Sequence, residues 1–400
     1  MPRLGAWTPP APPGDVQQVS VGANRLGRRV VLHIGTMKSG TTSIQSLLFS
    51  QRRALADQGV LPLGDRWGDQ VAGTRELIAH PDAPGEPWQR LVKQAACWDV
   101  ISVLSMEFLG PFIPRRVQAA VQSFGDLPVH VVLTMRDLNR TIPSLWQEAI
   151  QNGREWSWHD YLAGARDARP WQRTSPTEVA KPGRTFWRQQ NACQIAHRWG
   201  RVVGSDRLSL VTLPPPGAPR STLVERFGRA VGFDTSHMAE ARTKNESLGA
   251  ASAQMLQRVN AHLAASGLAS SEAQYLRKRL LAKQVLSARR DQERAIGLDV
   301  SPWVVETSAE MVVRLQRSGL RLVGDWADLT PVAAPGVDPA DTPGDELIAA
   351  ARYGYEGLQA HLAERSGRDA ASPWPDPADA EGAVEALAGL VLAHATREPE

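Results

Sequence analysis

The segment RRVVLHIGTMKSGTTSIQSLL, residues 28–48, decides the architecture of this 400-residue chain. Residues 28–35 are apolar and β-branched and stop at Gly35, which predicts a buried strand. From Thr41 to about residue 58, apolar side chains recur at helical spacing, which predicts an amphipathic helix. A short glycine-containing loop joins the two elements, and a strand followed directly by such a helix is typical of α/β proteins.

The rest of the chain continues this alternation of strands and helices. Three more buried strands are predicted, at residues 99–106, 128–135 and 207–213. Because helical patterns separate them, we expect a three-layer α/β/α fold with a central parallel sheet. After residue 245 the pattern is almost wholly helical. We therefore divide the chain into a Pro/Gly-rich N-terminal arm, an α/β domain and a mostly helical C-terminal extension, at residues 1–28, 29–330 and 331–400.

The composition excludes several classes of protein. With 42% hydrophobic and 22% charged residues, the chain can bury a sizeable core. No apolar run approaches the roughly 20 residues that a membrane-spanning helix needs. Cys97 and Cys193 are too few for a disulfide framework or a four-thiolate zinc site. Prolines interrupt the N-terminus where a secretory signal requires an apolar stretch, so we expect a cytoplasmic protein.

The charge is distributed unevenly along the chain. The formal net charge is +3, yet residues 331–400 contain thirteen acidic and only four basic side chains. The preceding residues are therefore basic, which suits an anionic ligand. The basic side chains are spread out and form no block interleaved with aromatic residues, so nucleic acid is not the expected partner. The acidic extension is expected to be separable from the ligand site, and the oligomeric state stays open.

The loop between the first strand and helix has the spacing of a phosphate-binding P-loop, G-x-x-x-x-G-K-[ST], at Gly35 and Gly40. Its N–H groups and the helix dipole can hold an anion. However, Thr41 stands where a P-loop nucleotidase has lysine, and the lysine of this loop is Lys38. No acidic partner for Mg²⁺ is evident, so we expect no metal. The alternative is a plain turn between strand and helix.

This variant of the loop resembles the 5′-phosphosulfate loop of sulfotransferases that use 3′-phosphoadenosine 5′-phosphosulfate (PAPS), whose core is P-K-[ST]-G-T-T. The resemblance implies a P-loop-type fold, a sulfotransferase domain at residues 29–330, PAPS as donor and 3′,5′-ADP (PAP) as product. It makes Lys38 a catalytic cation that stabilises the sulfuryl and 5′-phosphate oxygens. The residues implied to bind the donor at this loop are Lys38, Ser39, Gly40, Thr41, Thr42 and Ser43.

A second motif extends the resemblance. Family members hold the 3′-phosphate with an arginine at a strand end and a serine eight residues later. In TMRDLNRTIPSLWQEAI, Arg136 follows the predicted strand and Ser144 lies eight residues on, near the start of a helix predicted from about Thr141. Arginine binds phosphate with a rigid bidentate fork. Arg140 lies one helical turn before Ser144 and is expected to share its face. The alternative for Arg136 is a surface ion pair with Asp137 or Glu148.

Transfer to a hydroxyl also requires a base. Carbohydrate-type members often use glutamate, and Glu107 follows the strand 99–106, so Glu107 is the expected base. The alternative is a structural ion pair with Arg115 or Arg116. We expect His33, inside the first strand, to be a packed core histidine. If Glu107 is not the base, the histidines to test are His33, His130 and His159.

The acceptor is not specified by any single residue. The animal cytosolic branch has tryptophan after G-T-T, whereas this chain has Ser43, which favours a bacterial or carbohydrate-type member. The expected acceptor is a hydroxyl of a carbohydrate or a small natural product. Tryptophans suit such ligands but are more often core. Two other functions stay open: a P-loop kinase with a relocated lysine, and a non-catalytic protein that binds 3′,5′-ADP. Two later segments, KNESL at residues 244–248 and RSGLRLVGDW at residues 317–326, resemble sulfotransferase motifs more weakly.

Overall fold

The computed structural model describes residues 27–171, 181–238, 247–267, 271–366 and 373–395. The predicted N-terminal arm lies outside the described residues except for its last two positions. Residues 244–246 of the KNESL segment lie outside them as well.

Six parallel strands form the central sheet, in the order β2-β3-β1-β4-β5-β6. The strands are β1 (Arg29–His33), β2 (Val60–Pro62), β3 (Ile101–Ser105), β4 (Val129–Met135), β5 (Leu208–Thr212) and β6 (Arg321–Val323). Helices cover both faces, so the predicted three-layer α/β/α fold with a helical C-terminal part is confirmed. The four strands predicted from the sequence all form, whereas β2 and β6, with three residues each, were not predicted.

Helices make up the outer layers and most of the C-terminal half. They are α1 (Thr41–Ser50), α2 (Arg52–Asp57), α3 (Trp67–Ala79), α4 (Glu86–Ala96), α5 (Pro114–Gln122), α6 (Leu138–Gln151), α7 (Trp158–Asp167), α8 (Lys181–Gln190), α9 (Ala192–Val203), α10 (Ser221–Val231), α11 (Ala250–Ala265), α12 (Ser271–Gln274), α13 (Pro302–Arg317), α14 (Gly344–Ser366) and α15 (Ala380–Ala395). A π-helix (Tyr275–Val285) continues α12, and a 3₁₀-helix (Leu286–Gln292) follows it.

Strand β1 lies at the centre of the sheet and puts alternate side chains into two cores. Val30, Leu32 and Ile34 pack in one cluster with α4, α5 and α9, whereas Val31 packs on the opposite face with α1 and α10. Strands β2 and β3 lie on one side of β1 in the sheet, and strands β4 to β6 lie on the other side. Open α/β sheets bind ligands at the carboxyl ends of strands around such a reversal of strand order.

The C-terminal helices share a core with the α/β domain. Leu358 of α14 and Leu387 of α15 belong to one buried cluster with Ile142 and Trp146 of α6 and with α11. This packing argues against an extension that folds separately, although the boundary at residue 330 stays a prediction. Trp146, Trp158 and Trp187 are buried in this cluster, as the core interpretation of the tryptophans predicts.

Two helices differ from their predicted limits. The helix predicted from Thr41 to about residue 58 is divided at Gln51, whose backbone is not helical, into α1 and α2. Helix α6 begins at Leu138 and not near Thr141, because the Asp137 side chain accepts a hydrogen bond from the Arg140 N–H and caps the helix. Pro143 therefore lies inside α6, beyond its first turn.

Candidate functional site

The loop between β1 and α1 contains three residues in left-handed backbone conformations. Gly35, Lys38 and Gly40 all have positive φ, at 36°, 65° and 82°. At Gly40, which caps α1, a Cβ atom would lie 2.5 Å from Leu223 Cδ2, so glycine is required for both conformation and space. Lys38 adopts the left-handed region without that freedom, which stores strain in the loop.

The hydroxyls of the loop differ in what they are free to bind. Ser39 Oγ is fully buried, donates to the Thr36 carbonyl at 2.6 Å and lies 2.8 Å from Thr134 Oγ1. Its hydroxyl is therefore engaged within the protein, and its N–H is the group left for a ligand. Thr41 is buried, whereas Thr42 is exposed and Ser43 half-buried at the start of α1. Donor binding by these residues stays a prediction.

Lys38 belongs to a charged cluster that sequence reasoning missed. Its Nζ lies 3.7 Å from Glu148 Oε2 on α6, and Glu148 Oε1 lies 3.6 Å from Lys278 Nζ on the π-helix. Burial raises the pKa of Glu148, but the charges of Lys38 and Lys278 outweigh it, and the pKa lies below its ordinary value. Because more than 100 residues separate Lys38 from Glu148 and Glu148 from Lys278, no local sequence signal connects the three residues.

Glu107 lies two residues beyond β3, at the carboxyl edge of the sheet beside the loop. Gln45 Nε2 of α1 donates a hydrogen bond of 2.8 Å to Glu107 Oε2. Burial, the largest influence, raises the pKa of Glu107, although the Gln45 hydrogen bond and the Lys38 charge oppose that rise. Arg115, the alternative partner, pairs with Asp82. Glu107 thus lies within electrostatic range of Lys38, and its role as base stays a prediction.

The three histidines have environments that do not match a base at this edge. His33 is fully buried, so its interpretation as a core histidine is confirmed, and burial lowers its pKa to about 3. His130 lies near the amino end of β4, opposite the loop edge. His159 lies on α7, and its Nε2 is 3.4 Å from Asp338 Oδ2.

Arg136 and Arg140 share a single buried carboxylate at the end of β4. Arg140 Nε makes a close ion pair with Asp137, whereas Arg136 Nε is 4.0 Å from the same oxygen, too far for a hydrogen bond. Among the described residues, Arg136 Nε and Arg140 Nη2 are buried without a hydrogen-bond partner. Burial and the neighbouring Arg140 lower the pKa of Arg136 to about 10, so it stays charged at neutral pH. Two guanidinium groups on one carboxylate leave a net positive charge here.

Ser144 lies on the same helix as Arg140, but not where the sequence placed it. Its Oγ donates to the Arg140 carbonyl at 3.1 Å, one turn earlier. The N–H groups unpaired within α6 belong to its first turn, from Leu138 onward, so Ser144 is not among them. The prediction that Ser144 lies near the start of its helix is therefore wrong, because α6 begins at Leu138 and Ser144 lies in its second turn. Binding of a 3′-phosphate by the Ser144 hydroxyl stays a prediction.

The loop and the end of β4 meet in one cavity. Thr36 of the loop and Arg136 line it together with Gln190 of α8 and Ser308 of α13. Thr36 Oγ1 and Ser308 Oγ are buried and have no hydrogen-bond partner among the residues described. The cavity has a volume of only about 10 Å³ and is otherwise lined mostly by apolar side chains such as Met311 and Leu315, so it has room for at most one water molecule. Neither Gln190 nor Ser308 was singled out from the sequence.

The predicted site residues contain no cluster with the geometry of a metal site. Within the described ranges, one group of side chains places its ligand atoms within 4.8 Å of one another, namely His262, Glu381 and Glu385. It lies between α11 and α15, and Arg258 also pairs with Glu381 there. None of the described helices combines the length and apolar character required to cross a membrane.

Comparison with known proteins yields one resemblance of limited weight. The chain is similar to the crystal structure of a sulfotransferase from Alicyclobacillus acidocaldarius, with 15% sequence identity and a TM-score of 0.36. The alignment covers 66% of this chain and 99% of that one. No protein-family model matches the chain. No curated protein matches it.

Proposed function

We propose that this chain is a sulfotransferase that moves a sulfuryl group from PAPS to a hydroxyl of a carbohydrate or small natural-product acceptor. The observation that carries the proposal is the pair of guanidinium groups, Arg136 and Arg140, with unpartnered buried N–H donors at the end of β4. Arg136 lines the same small cavity as Thr36 of the loop, and Arg140 shares Asp137 with Arg136, so both arginines lie close to the loop. One anion site at the loop and a second at the two arginines would suit a nucleotide that has phosphates on both its 5′ and 3′ positions.

The loop supports binding of the donor's 5′-phosphate. Left-handed residues such as Lys38 and Gly40 are typical of loops whose successive N–H groups hold an anion, and this loop ends at the start of α1, where the helix dipole adds to the attraction for an anion. Lys38 supplies the mobile positive charge, since its side chain is 37% exposed and makes only a long ion pair with Glu148. Thr41, at the position of the nucleotidase lysine, is buried and uncharged.

The 3′-phosphate is assigned to Arg136, with Arg140 and Ser144 as supporting groups. Asp137 is more closely engaged by Arg140 than by Arg136, so the 21% of the Arg136 side chain that is exposed is left to bind a phosphate. A bidentate arginine–phosphate contact is directional and charge-assisted. This arrangement predicts strong preference for 3′,5′-ADP over nucleotides without a 3′-phosphate.

The transfer step follows from the placement of Glu107 and Lys38. The acceptor hydroxyl oxygen forms a bond to the donor sulfur, and Glu107 takes the hydroxyl proton. The bond between sulfur and the bridging oxygen breaks, and its electron pair leaves with 3′,5′-ADP. Lys38 stabilises the charge that develops on the leaving oxygen. Burial raises the pKa of Glu107 above that of a free carboxyl, which makes it a stronger base.

A direct assay tests the proposal. Purified protein is given PAPS and a panel of hydroxylated glycans, phenols and alcohols, with EDTA present, and products are analysed by mass spectrometry for an added sulfuryl group. We expect transfer to at least one acceptor without metal. Phosphoryl transfer from ATP that requires Mg²⁺ would instead identify a kinase. Tight binding of 3′,5′-ADP with no transfer to any acceptor would identify a binding protein.

A further inference from the structure

A chain of hydrogen bonds runs beneath the phosphate loop through five buried polar residues. His33 Nδ1 lies 2.8 Å from Ser105 Oγ, and His33 Nε2 lies 3.0 Å from Thr134 Oγ1. Thr134 Oγ1 lies 2.8 Å from Ser39 Oγ, which donates to the Thr36 carbonyl at 2.6 Å. None of the five is more than 2% exposed, so water does not compete for these bonds.

The strand register produces this alignment. His33 is the last residue of β1 and lies opposite Ser105 of β3, while Thr134 lies on β4, the other neighbour of β1. The series of hydrogen bonds therefore crosses three central strands at their carboxyl edge and reaches the loop at Ser39. No pattern in the sequence joins these residues, because they come from three strands and a loop.

The number of available protons determines which group donates in each of these hydrogen bonds. Ser39 has one hydroxyl proton, which goes to the Thr36 carbonyl, so Ser39 accepts from Thr134. Thr134 then accepts from His33, whose proton must be on Nε2. His33 Nδ1 is left as an acceptor for the Ser105 hydroxyl. Every donor is used once, which requires the neutral imidazole, and burial keeps His33 neutral by lowering its pKa to about 3.

We infer that His33 is a positioning residue that holds the phosphate loop in its binding conformation. Through Thr134 and Ser39 it fixes the Thr36 carbonyl inward, which leaves the following N–H groups turned toward an anion. The loop requires such support, because Lys38 adopts a left-handed backbone, a strain that persists only where the surroundings impose it. The identity of the anion, the 5′-phosphate of the donor, rests on the proposed function, whereas the hydrogen-bond chain itself does not.

Amide hydrogen exchange of the protein without nucleotide tests the inference directly. We expect His33→Phe and Thr134→Val each to speed exchange of the amides of residues 36–41 at least about fivefold, and to leave α14, which lies in a different core cluster, unchanged. His33→Gln, which keeps one donor and one acceptor, should restore part of the protection. The matched control is Thr74→Val, which removes a buried hydroxyl that does not belong to this series of hydrogen bonds. Unchanged loop exchange in Thr134→Val, or equal acceleration throughout the protein, would overturn the inference.

Calorimetry measures whether this series of hydrogen bonds affects nucleotide affinity. Because 3′,5′-ADP has a 5′-phosphate and adenosine 3′-phosphate does not, Thr134→Val should weaken only the first, by about five- to tenfold for one lost buried hydrogen bond. Equal weakening of both ligands would count against loop positioning. If the wild-type protein binds neither nucleotide, the donor assignment fails, while the exchange experiment still decides the role of His33. Thr134→Val preserves side-chain shape, so it serves if His33→Phe does not fold.

Discussion

Replacing Arg136 with alanine tests the most informative contact of the proposed donor site. Because Asp137 keeps its close ion pair with Arg140 and still caps α6, the substitution leaves no buried carboxylate without a partner. The fold should therefore survive, and the loss should fall on the ligand. A charge-assisted hydrogen bond to phosphate is worth about 1.5–3 kcal/mol, which corresponds to roughly a 10- to 150-fold loss of affinity.

Isothermal titration calorimetry in EDTA measures this loss. We expect Arg136→Ala to weaken 3′,5′-ADP by that factor and to change 5′-AMP less than about twofold, because 5′-AMP lacks the phosphate that Arg136 binds. Arg352→Ala, which removes an exposed arginine of α14, serves as the matched control and should change neither affinity. Thermal unfolding of all three proteins checks that the fold is intact.

Two outcomes would refute the reasoning. If the wild-type protein binds 5′-AMP as tightly as 3′,5′-ADP, no 3′-phosphate site exists. If Arg136→Ala weakens both nucleotides equally while the melting temperature is unchanged, Arg136 does not distinguish the 3′-phosphate. Its unpartnered Nε would then be a structural feature of the β4 end and not a ligand donor.

Three other substitutions or deletions test the remaining parts of the proposal. Lys38→Met should lower kcat on the order of a hundredfold or more, since it removes a preorganised charge, whereas a raised donor KM at constant kcat would mean that Lys38 only binds. Glu107→Gln should lower kcat roughly a hundred- to ten-thousandfold with 3′,5′-ADP binding intact. Because burial raises the Glu107 pKa, wild-type kcat should fall with decreasing pH already above the ordinary value of 4.5; a pH-independent kcat would contradict this. Ending the chain at residue 330 should lower the melting temperature or abolish solubility, because Leu358 and Leu387 are fully buried in the shared core, and a stable truncated protein would show that the extension folds separately.

The positions of β1, β3, β4 and β5 along the chain and the position of the loop were predictable because local sequence encodes them, whereas the order of the strands in the sheet was not predicted. Consecutive β-branched residues mark the long strands, and the Gly35 to Gly40 spacing marks the loop. The short strands β2 and β6 were missed, since three residues give no periodic pattern. The start of α6 was predicted near Thr141, three residues late, because the sequence analysis did not recognise Asp137 as the residue that caps the helix.

By itself, the sequence determined the α/β architecture, the spacing of Gly35 and Gly40 in the loop and the identity of Lys38, Glu107 and Arg136 as candidates. Only the tertiary structure decided which of their atoms are available. Ser39 Oγ donates its hydrogen bond to the Thr36 carbonyl of the same loop, and Arg136 Nε is buried without a partner. Lys38 is linked through Glu148 to Lys278 on the π-helix. Periodicity and motifs report on neighbours along the chain. Hydrogen-bond satisfaction and burial depend on residues that only folding brings together, and these properties decide what the site can bind.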